Sequence, residues 1–164
     1  MSRFYKNILK PLFFRLEPEQ AHELAVDSLS LLSKTPLIRP AMAAFNQLPQ
    51  AAKPIEAFGL KFPNRVGLAA GFDKNAKCWP AFEALGFGHV EIGTVTALAQ
   101  PGNPKPRMFR FPEHEAILNR MGFNNDGALE VAQRLESLPG PGQRRIPLGI
   151  NIGKSKVAPL DEAV

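Results

Sequence analysis

A run of small residues that ends in a charged pair is the first candidate for chemistry in this sequence. Ala69-Ala70-Gly71-Phe72-Asp73-Lys74 directly follows a short apolar stretch. Small residues at the end of a strand let a flat or anionic ligand approach the backbone, and Lys74 supplies a cation beside those amides. A tight turn with a solvated lysine has the same composition. This segment alone leaves both interpretations open.

A cluster of amide side chains is the second candidate. Asn119-Arg120-Met121-Gly122-Phe123-Asn124-Asn125 places three asparagines and a glycine within seven residues. An asparagine side chain both donates and accepts hydrogen bonds, so the cluster suits a planar ligand that has alternating donors and acceptors. A helix cap that uses Asn124, Asn125 or Asp126 is the structural alternative, and it explains one polar residue of the cluster.

The elements that must position these residues alternate between strand and helix. Apolar runs bounded by glycine predict strands at 65–70, 89–95 and 146–152, and helical periodicity predicts helices at 76–85 and 126–138. A long connection, 96–124, is expected to contain a small hairpin at 108–118. The crossovers are long enough for parallel pairing, in a doubly wound sheet or part of a (β/α)₈ barrel. In both architectures ligands bind at the carboxyl ends of the strands.

Thr94 and Asn151 each fall at such a strand end and offer neutral hydrogen-bonding groups. Other common sites are disfavoured. Gly86-Phe87-Gly88 precedes a strand and lacks the third glycine of a dinucleotide loop, and no P-loop or Gly-x-Ser-x-Gly motif is present. The three histidines lack metal-ligand spacing, so no metal site is predicted. The single cysteine, Cys78, is expected to be a packed thiol.

The first 35 residues are predicted to form two helices. In the first, apolar side chains face one side and cations the other, although Pro11 is expected to kink or end it. The second begins near Pro18 and ends near 33–36. Such a hairpin either packs on its own domain or lies on a membrane surface. Residues 36–57 are rich in proline and alanine and are predicted to be a linker with one short helix at most.

The composition is that of one globular domain. The chain has 164 residues and a net charge of +5, with 45% hydrophobic and 21% charged residues. No stretch approaches the roughly 20 apolar residues of a membrane-spanning helix, and the N-terminus does not match a signal peptide. The cations are scattered without a basic run, so nucleic-acid binding is not expected. A single cysteine indicates a reduced, intracellular environment.

The order of the motifs resembles the quinone-dependent (class 2) dihydroorotate dehydrogenases. Five blocks carry the resemblance: Gly67–Lys74, Glu91–Thr96, Gln100–Arg107, Asn119–Asn125 and Gly149–Lys154. In addition, Leu16–His22 is similar to the N-terminal extension of that class. The likeness, from Leu16 to Lys154, extends along nearly the whole chain.

The resemblance implies an FMN enzyme on a (β/α)₈ barrel that oxidises dihydroorotate to orotate in pyrimidine synthesis, with quinone as electron acceptor. By position it implies FMN contacts at Ala70, Gly71, Phe72, Asp73, Lys74, Thr94 and Asn151. It implies substrate contacts at Lys74, Asn119, Arg120, Met121, Gly122 and Phe123. His22 and Arg110 match positions near the family's quinone tunnel. A lipid-dissolved quinone also favours the membrane-surface interpretation, and thus a peripheral protein on the cytoplasmic face of the membrane.

The resemblance also implies that the barrel is incomplete. Three strands are predicted here, whereas a (β/α)₈ barrel has eight and typically needs about 250 residues. The family's catalytic base is a serine on a later loop, expected beyond Val164, and Ser155 does not match it. We therefore expect this chain to be the N-terminal part of such an enzyme and to be inactive on its own. The alternatives are another FMN barrel acting on a pyrimidine, or a truncated, non-catalytic product that associates with a membrane or a partner through its N-terminal helices.

Overall fold

The computed structural model describes residues 3–35, 37–45 and 53–161. A π-helical turn, Tyr5–Leu9, runs into helix α1, Lys10–Phe13, with Pro11 in the first turn of α1. Helix α2, Pro18–Lys34, begins at a proline because the fixed φ of proline suits the first helical turn. Helix α3 spans Ile38–Phe45. None of the described helices combines the length and the hydrophobicity that crossing a membrane requires.

A β-hairpin follows α3 and precedes the main sheet. Strand β1, Ile55–Ala57, pairs antiparallel with β2, Leu60–Phe62. The two residues that connect them, Phe58 and Gly59, both have positive φ, as a tight hairpin turn needs. The alternation of apolar and other residues over 58–62 predicts a short strand or hairpin, and a hairpin is found, with its first strand before that range. Its first strand lies inside the predicted linker, 36–57, which also contains α3, while positions 46–52 lie outside the described residues.

The main sheet consists of three parallel strands. Strand β3 is Gly67–Leu68, β4 is His89–Val95 and β7 is Leu148–Ile152, in the order β3-β4-β7. The register pairs Leu68 with Val90, and Val90 in turn with Leu148. All three carboxyl ends therefore lie along one edge, as the strand-helix alternation predicted.

The connections between these strands carry the remaining elements. Helix α4, Trp79–Ala84, joins β3 to β4, and helix α5, Ala128–Glu136, precedes β7. The long connection after β4 contains the antiparallel strands β5, Met108–Phe111, and β6, Ala116–Asn119. Pairing over 108–119 confirms the predicted hairpin.

The hydrophobic core lies between the sheet and helices α2, α4 and α5. Its central members are Trp79 and Phe82 of α4 and Val90 and Ile92 of β4, joined by Val26, Val131 and Ile146. Cys78 is fully buried beside them, and desolvation raises the pKa of its thiol, so it is a packed thiol as expected. The core thus fixes one face of the sheet and, with it, the strand ends that face the long connection.

Candidate active site

A cavity of about 450 Å³ opens at the carboxyl ends of β3 and β4. The loop after β3 contributes Ala70, Gly71 and Lys74, and β4 contributes Thr94. The long connection supplies the rest of the lining: Asn103, Asn119, Arg120, Met121, Gly122 and Phe123. Residues far apart in the chain therefore meet where a parallel α/β sheet binds ligands.

Lys74 is the half-buried cation that lines this cavity, and Arg120 is an exposed one. Its Nζ donates to Asn124 Oδ1 at 2.7 Å and lies 3.1 Å from Met121 Sδ. Burial lowers the pKa of Lys74, and the nearby Arg107 charge lowers it further. An ammonium group has three donors, and a thioether sulfur is a weak acceptor. Among the described contacts, Lys74 thus keeps donor capacity for a ligand oxygen.

The ends of β4 and β7 are linked through polar side chains. Thr94 Oγ1 donates to Asn151 Oδ1 at 2.6 Å, and Asn151 Nδ2 donates to Glu91 Oε1 at 3.2 Å. Both bonds cross from one strand to its neighbour, so the amide of Asn151 is held from two sides. This orients a hydroxyl and an amide at the edge of the cavity.

The loop after β3 is fastened to β4 by its backbone. The Gly71 N–H donates to the Gly93 carbonyl at 2.8 Å, and the Gly93 N–H donates to the Asp73 carbonyl at 3.2 Å. Gly71 has φ +111°, and a Cβ built on it meets no atom within 4 Å. The space in front of this glycine is open, which suits the approach of a flat group to the backbone.

The part of the cavity lined by residues 119–123 is fixed by hydrogen bonds with amide side chains. Asn119 Oδ1 accepts from the Met121 N–H at 3.0 Å, and among the described contacts the Asn119 NH₂ group has no partner. The Asn103 N–H donates to the Met121 carbonyl at 2.9 Å, and Asn103 Nδ2 donates to the Arg120 carbonyl at 2.7 Å. The segment 119–123 is therefore anchored through its backbone, with polar groups left over for recognition.

Comparison with known proteins assigns this arrangement to a family. The family model described as dihydroorotate dehydrogenase matches residues 54–164, which include the whole sheet and the cavity. This chain belongs to the dihydroorotate dehydrogenase family.

Curated relatives and solved structures agree with the family. A dihydroorotate dehydrogenase (quinone) from Idiomarina loihiensis is 51% identical over 158 residues, 96% of this chain and 45% of the relative. One from Chloroflexus aurantiacus is 47% identical, over 98% of this chain and 44% of the relative. The crystal structure of ligand-free DHODH from Eimeria tenella is 39% identical with a TM-score of 0.64, over 88% of this chain and 40% of that one.

The complex of the same Eimeria tenella protein with ferulenol matches with a TM-score of 0.63 and 39% identity, over 85% of this chain and 38% of that chain. The chain thus spans about 45% of the length of the curated relatives that it matches. Its parallel sheet and helices are part of a (β/α)₈ barrel, as predicted.

Most of the residues that the family resemblance singled out lie together. Ala70, Gly71, Lys74, Thr94 and the segment 119–123 line the one cavity, and Asn151 is hydrogen-bonded to Thr94. Within that segment the Arg120 guanidinium lies 5.9 Å from the centre of the Phe109 ring. Arg120 therefore contributes to the cavity wall while its charged end contacts β5.

Phe72 and Asp73 are placed differently from the other expected cofactor contacts. Asp73 is only 1% exposed, and its carboxylate accepts from the N–H groups of Lys77 and Cys78 at 2.7 and 2.8 Å. The Phe72 ring packs edge-to-face against Phe82 and His22. Both side chains thus hold the loop that carries Lys74, and the two residues line the neighbouring space of about 310 Å³ between α2 and this loop, not the cavity at the strand ends.

His22 and Arg110 do not share a cavity. His22 lines a space of about 310 Å³ between α2 and the loop after β3, and burial lowers the pKa of its imidazole. Arg110 donates to the Leu16 carbonyl at 2.8 Å and the Phe13 carbonyl at 3.3 Å, beside a separate space of about 450 Å³. Each residue joins the helical hairpin to the barrel at a different place.

Two residues of the site were not among those expected. Asn124 accepts a hydrogen bond from Lys74, and the Asn103 side chain donates to the Arg120 carbonyl in the segment 119–123. Asn124 belongs to the amide cluster and Asn103 to the block 100–107. Both lay inside recognised motifs, but nothing in the sequence indicated which amide would face Lys74.

Proposed function

We propose that this chain forms the N-terminal part of a quinone-dependent dihydroorotate dehydrogenase and carries much of its flavin and substrate contacts. The observation that carries the proposal is Lys74. Its side chain lines the cavity at the strand ends, and its ammonium is held by Asn124 and Met121, in a chain of this family. A half-buried cation with free donor capacity suits an anionic or carbonyl-rich ligand.

The residues around Gly71 fit FMN. The open, left-handed Gly71, the small Ala70 and the Thr94–Asn151 pair combine a flat approach to the backbone with a hydroxyl oxygen that can accept and an amide N–H that can donate. These are the groups that the carbonyl and nitrogen edge of a flavin ring requires. FMN bound there would accept hydride from the substrate and pass electrons on to quinone. The protein would hold the flavin ring in place and set the hydrogen bonding and charge around it.

The segment 119–123 fits the substrate. Dihydroorotate is a small cyclic imide with a carboxylate, so its recognition needs amide partners for the ring and a cation for the charge. Asn119 supplies amide donors and Lys74 the cation, and both residues line the same cavity. The base that takes the C5 proton is supplied in this proposal by a serine outside these residues.

The first two helices are proposed to lie on a membrane and to admit the quinone. The apolar side chains of Phe4, Ile8 and Leu12 are 59, 55 and 57% exposed, and Lys6 and Lys10 lie on the same short helical segment. An exposed apolar stripe with adjacent cations suits the interface of an anionic bilayer. His22 and Arg110 line two separate spaces between this hairpin and the barrel, and a quinone would enter through one of them.

The proposal gives the chain three functional parts. Residues 1–35 form the membrane and quinone element, 36–57 connect it to the barrel, and 58–164 carry the flavin and substrate contacts. The protein would be peripheral to the cytoplasmic face of the membrane. The second candidate function, a non-catalytic product that binds a membrane or a partner, rests on the same exposed stripe.

The test compares two proteins. The first is the 164-residue chain, and the second is a chimaera that joins it to the C-terminal remainder of the Idiomarina loihiensis relative. Both are titrated with FMN by flavin fluorescence, and dihydroorotate-dependent bleaching and quinone reduction are then followed.

We expect the chimaera to retain FMN and to oxidise dihydroorotate, and the chain alone to do neither. Bleaching by the chain alone would contradict its expected inactivity. A folded chimaera that holds no FMN and ignores dihydroorotate would overturn the proposed function. If lipid binding then remained, the non-catalytic alternative would be favoured.

A further inference from the structure

Arg107 contacts residues 119–123, which we call the substrate segment, but it is not among the residues that line the cavity. Its side chain is 6% exposed, and its guanidinium makes four hydrogen bonds. Nε and Nη2 donate to the two carboxylate oxygens of Glu19, at 3.0 and 2.5 Å, and Nη1 donates to the carbonyls of Pro101 and Asn103. Two parallel bonds to one carboxylate fix the plane of the guanidinium as well as its position.

The loop that Arg107 holds is the one that supports the cavity. Asn103, whose carbonyl accepts from Arg107, donates through its own backbone and side chain to the Met121 and Arg120 carbonyls. The Arg120 N–H donates in return to the Arg107 carbonyl at 2.9 Å. A displacement of the guanidinium must therefore move Asn103 and, with it, one wall of the cavity.

The packing at Gly102 leaves this loop little freedom. Gly102 has φ +77°, and a Cβ built there would lie 2.2 Å from the Met121 carbonyl oxygen and 2.8 Å from Arg107 Nη1. Loop, guanidinium and substrate segment are thus in direct contact, with no space for the loop to relax independently.

Glu19 brings in a second element. It lies in the first turn of α2, 88 residues from Arg107, and its side chain is 9% exposed. One turn further along α2, His22 packs at 4.9 Å against Phe72 in the loop that carries Lys74. Helix α2 therefore contacts both loops that form the cavity, one through an ion pair and the other through a ring contact.

We propose that Arg107 is a positioning residue for the substrate segment, and that Glu19 fixes the position of the Arg107 side chain. The position of helix α2 against the barrel then determines substrate affinity. The inference rests on the proposed function for the identity of the ligand. A pair that only stabilised the fold would lower the unfolding temperature when broken, but it would not change ligand affinity selectively.

The experiment uses Arg107→Lys and Glu19→Gln in the chimaera loaded with FMN. Glu83→Gln is the matched control, because the Glu83 side chain is also 9% exposed and lies within 4 Å of Arg39 and Arg145, near the amino ends of the strands. Orotate affinity is read from the flavin absorbance change, together with KM and kcat for dihydroorotate and the amount of FMN retained.

We expect Arg107→Lys and Glu19→Gln to weaken orotate binding and to raise KM by about tenfold, the size that loss of one charge-assisted contact produces. FMN retention should be unchanged, and kcat should change by about twofold at most. Glu83→Gln should lower the unfolding temperature and leave orotate affinity as it is. Unchanged orotate affinity in Arg107→Lys and Glu19→Gln, or an equal loss in Glu83→Gln, would overturn the proposal.

Amide hydrogen exchange of the 164-residue chain separates this inference from the proposed function. Arg107→Lys should speed exchange at the N–H groups of Asn103 and Arg120 by about tenfold or more, while Glu83→Gln should not. If the chimaera binds no orotate, the proposed function fails, and the exchange rates alone decide whether Arg107 positions the loop. Equal exchange in both variants would contradict it.

Discussion

The Thr94 hydroxyl and the Asn151 amide form a 2.6 Å hydrogen bond that joins the carboxyl ends of β4 and β7. Because Asn151 also donates to Glu91 in β4, its amide oxygen is directed towards Thr94. Two neutral groups from neighbouring strands thus present a fixed hydrogen-bonding pattern to a ligand placed over the sheet edge.

Asn151→Leu should lower the FMN affinity of the chimaera by about tenfold, since it removes the amide and leaves Glu91 and the Thr94 hydroxyl without their partner. Fluorescence titration with FMN measures the change. Thr35→Val serves as control, because the Thr35 hydroxyl bonds only to the Leu31 carbonyl at the end of α2 among its described contacts. An equal loss in both variants would argue against a flavin role for Asn151.

Lys74→Met should weaken orotate binding by about a hundredfold, because the cavity then lacks its half-buried cation while Asn124 loses its donor. Lys77→Met is the matched control, three residues further along the same loop and outside the cavity lining. Equilibrium titration of the FMN-loaded chimaera with orotate distinguishes them. Similar affinities for the two variants would remove Lys74 from the substrate site.

Gly93→Ala should destabilise the chain by about 2 kcal/mol or more, since Gly93 has φ +107° and a Cβ would lie 2.5 Å from the Asn151 carbonyl oxygen. Gly140→Ala should be neutral within about 0.5 kcal/mol, because a Cβ there meets nothing within 4 Å. Urea unfolding of both variants gives the comparison. A neutral Gly93→Ala would mean that β4 and β7 lie further apart than described.

Acid should destabilise the chain partly through Glu19. The hydrogen bonds from Arg107 hold the pKa of Glu19 below its ordinary value, despite the opposing effect of burial. The ion pair therefore contributes stability above the ordinary pKa of about 4.3, and this contribution is lost as the pH falls through the lowered value. Unfolding temperatures measured from pH 7 to pH 3 should fall more steeply for the original chain than for Glu19→Gln. Parallel curves would contradict this account.

Leu12→Asp should abolish binding of the chain to vesicles that contain phosphatidylglycerol, because it places a charge within the exposed apolar stripe. Leu129→Asp, at an even more exposed leucine in α5, should leave binding unchanged. Co-sedimentation with the vesicles is the measurement. Loss in both variants would indicate unfolding or non-specific adsorption in place of a membrane-binding helix.

The sequence predicts best where one local pattern decides the structure. Strand β4 has its predicted bounds, 89–95, because an apolar run with charged and polar positions is bounded by Gly88 and by the polar connection. Helix α4, in contrast, begins at Trp79 and not at the predicted position 76. Ala76 has a positive φ, and the Asp73 carboxylate binds the N–H groups that a longer helix would direct along its axis. That tertiary arrangement has no local signature.

The candidate site likewise contains residues that a local motif marks and residues that only the tertiary fold brings in. The small residues before Lys74 left a ligand site and a tight turn both open, and the structure gathers Ala70, Gly71 and Lys74 at one cavity. The positions of Asn124 and Arg107 depend on how a connection of nearly 30 residues folds back on itself, across the Gln100–Asn125 bridge. Such contacts join residues with no periodic relationship, so spacing alone does not reveal them.

The anchoring of the helical hairpin by Arg110 has an evolutionary consequence. Its guanidinium binds the main-chain oxygens of Phe13 and Leu16, which every residue type possesses. The side chains at those two positions can therefore change without loss of this attachment. The surface of the helical hairpin at those positions is thereby free to diverge among relatives, while the attachment through Arg110 is kept.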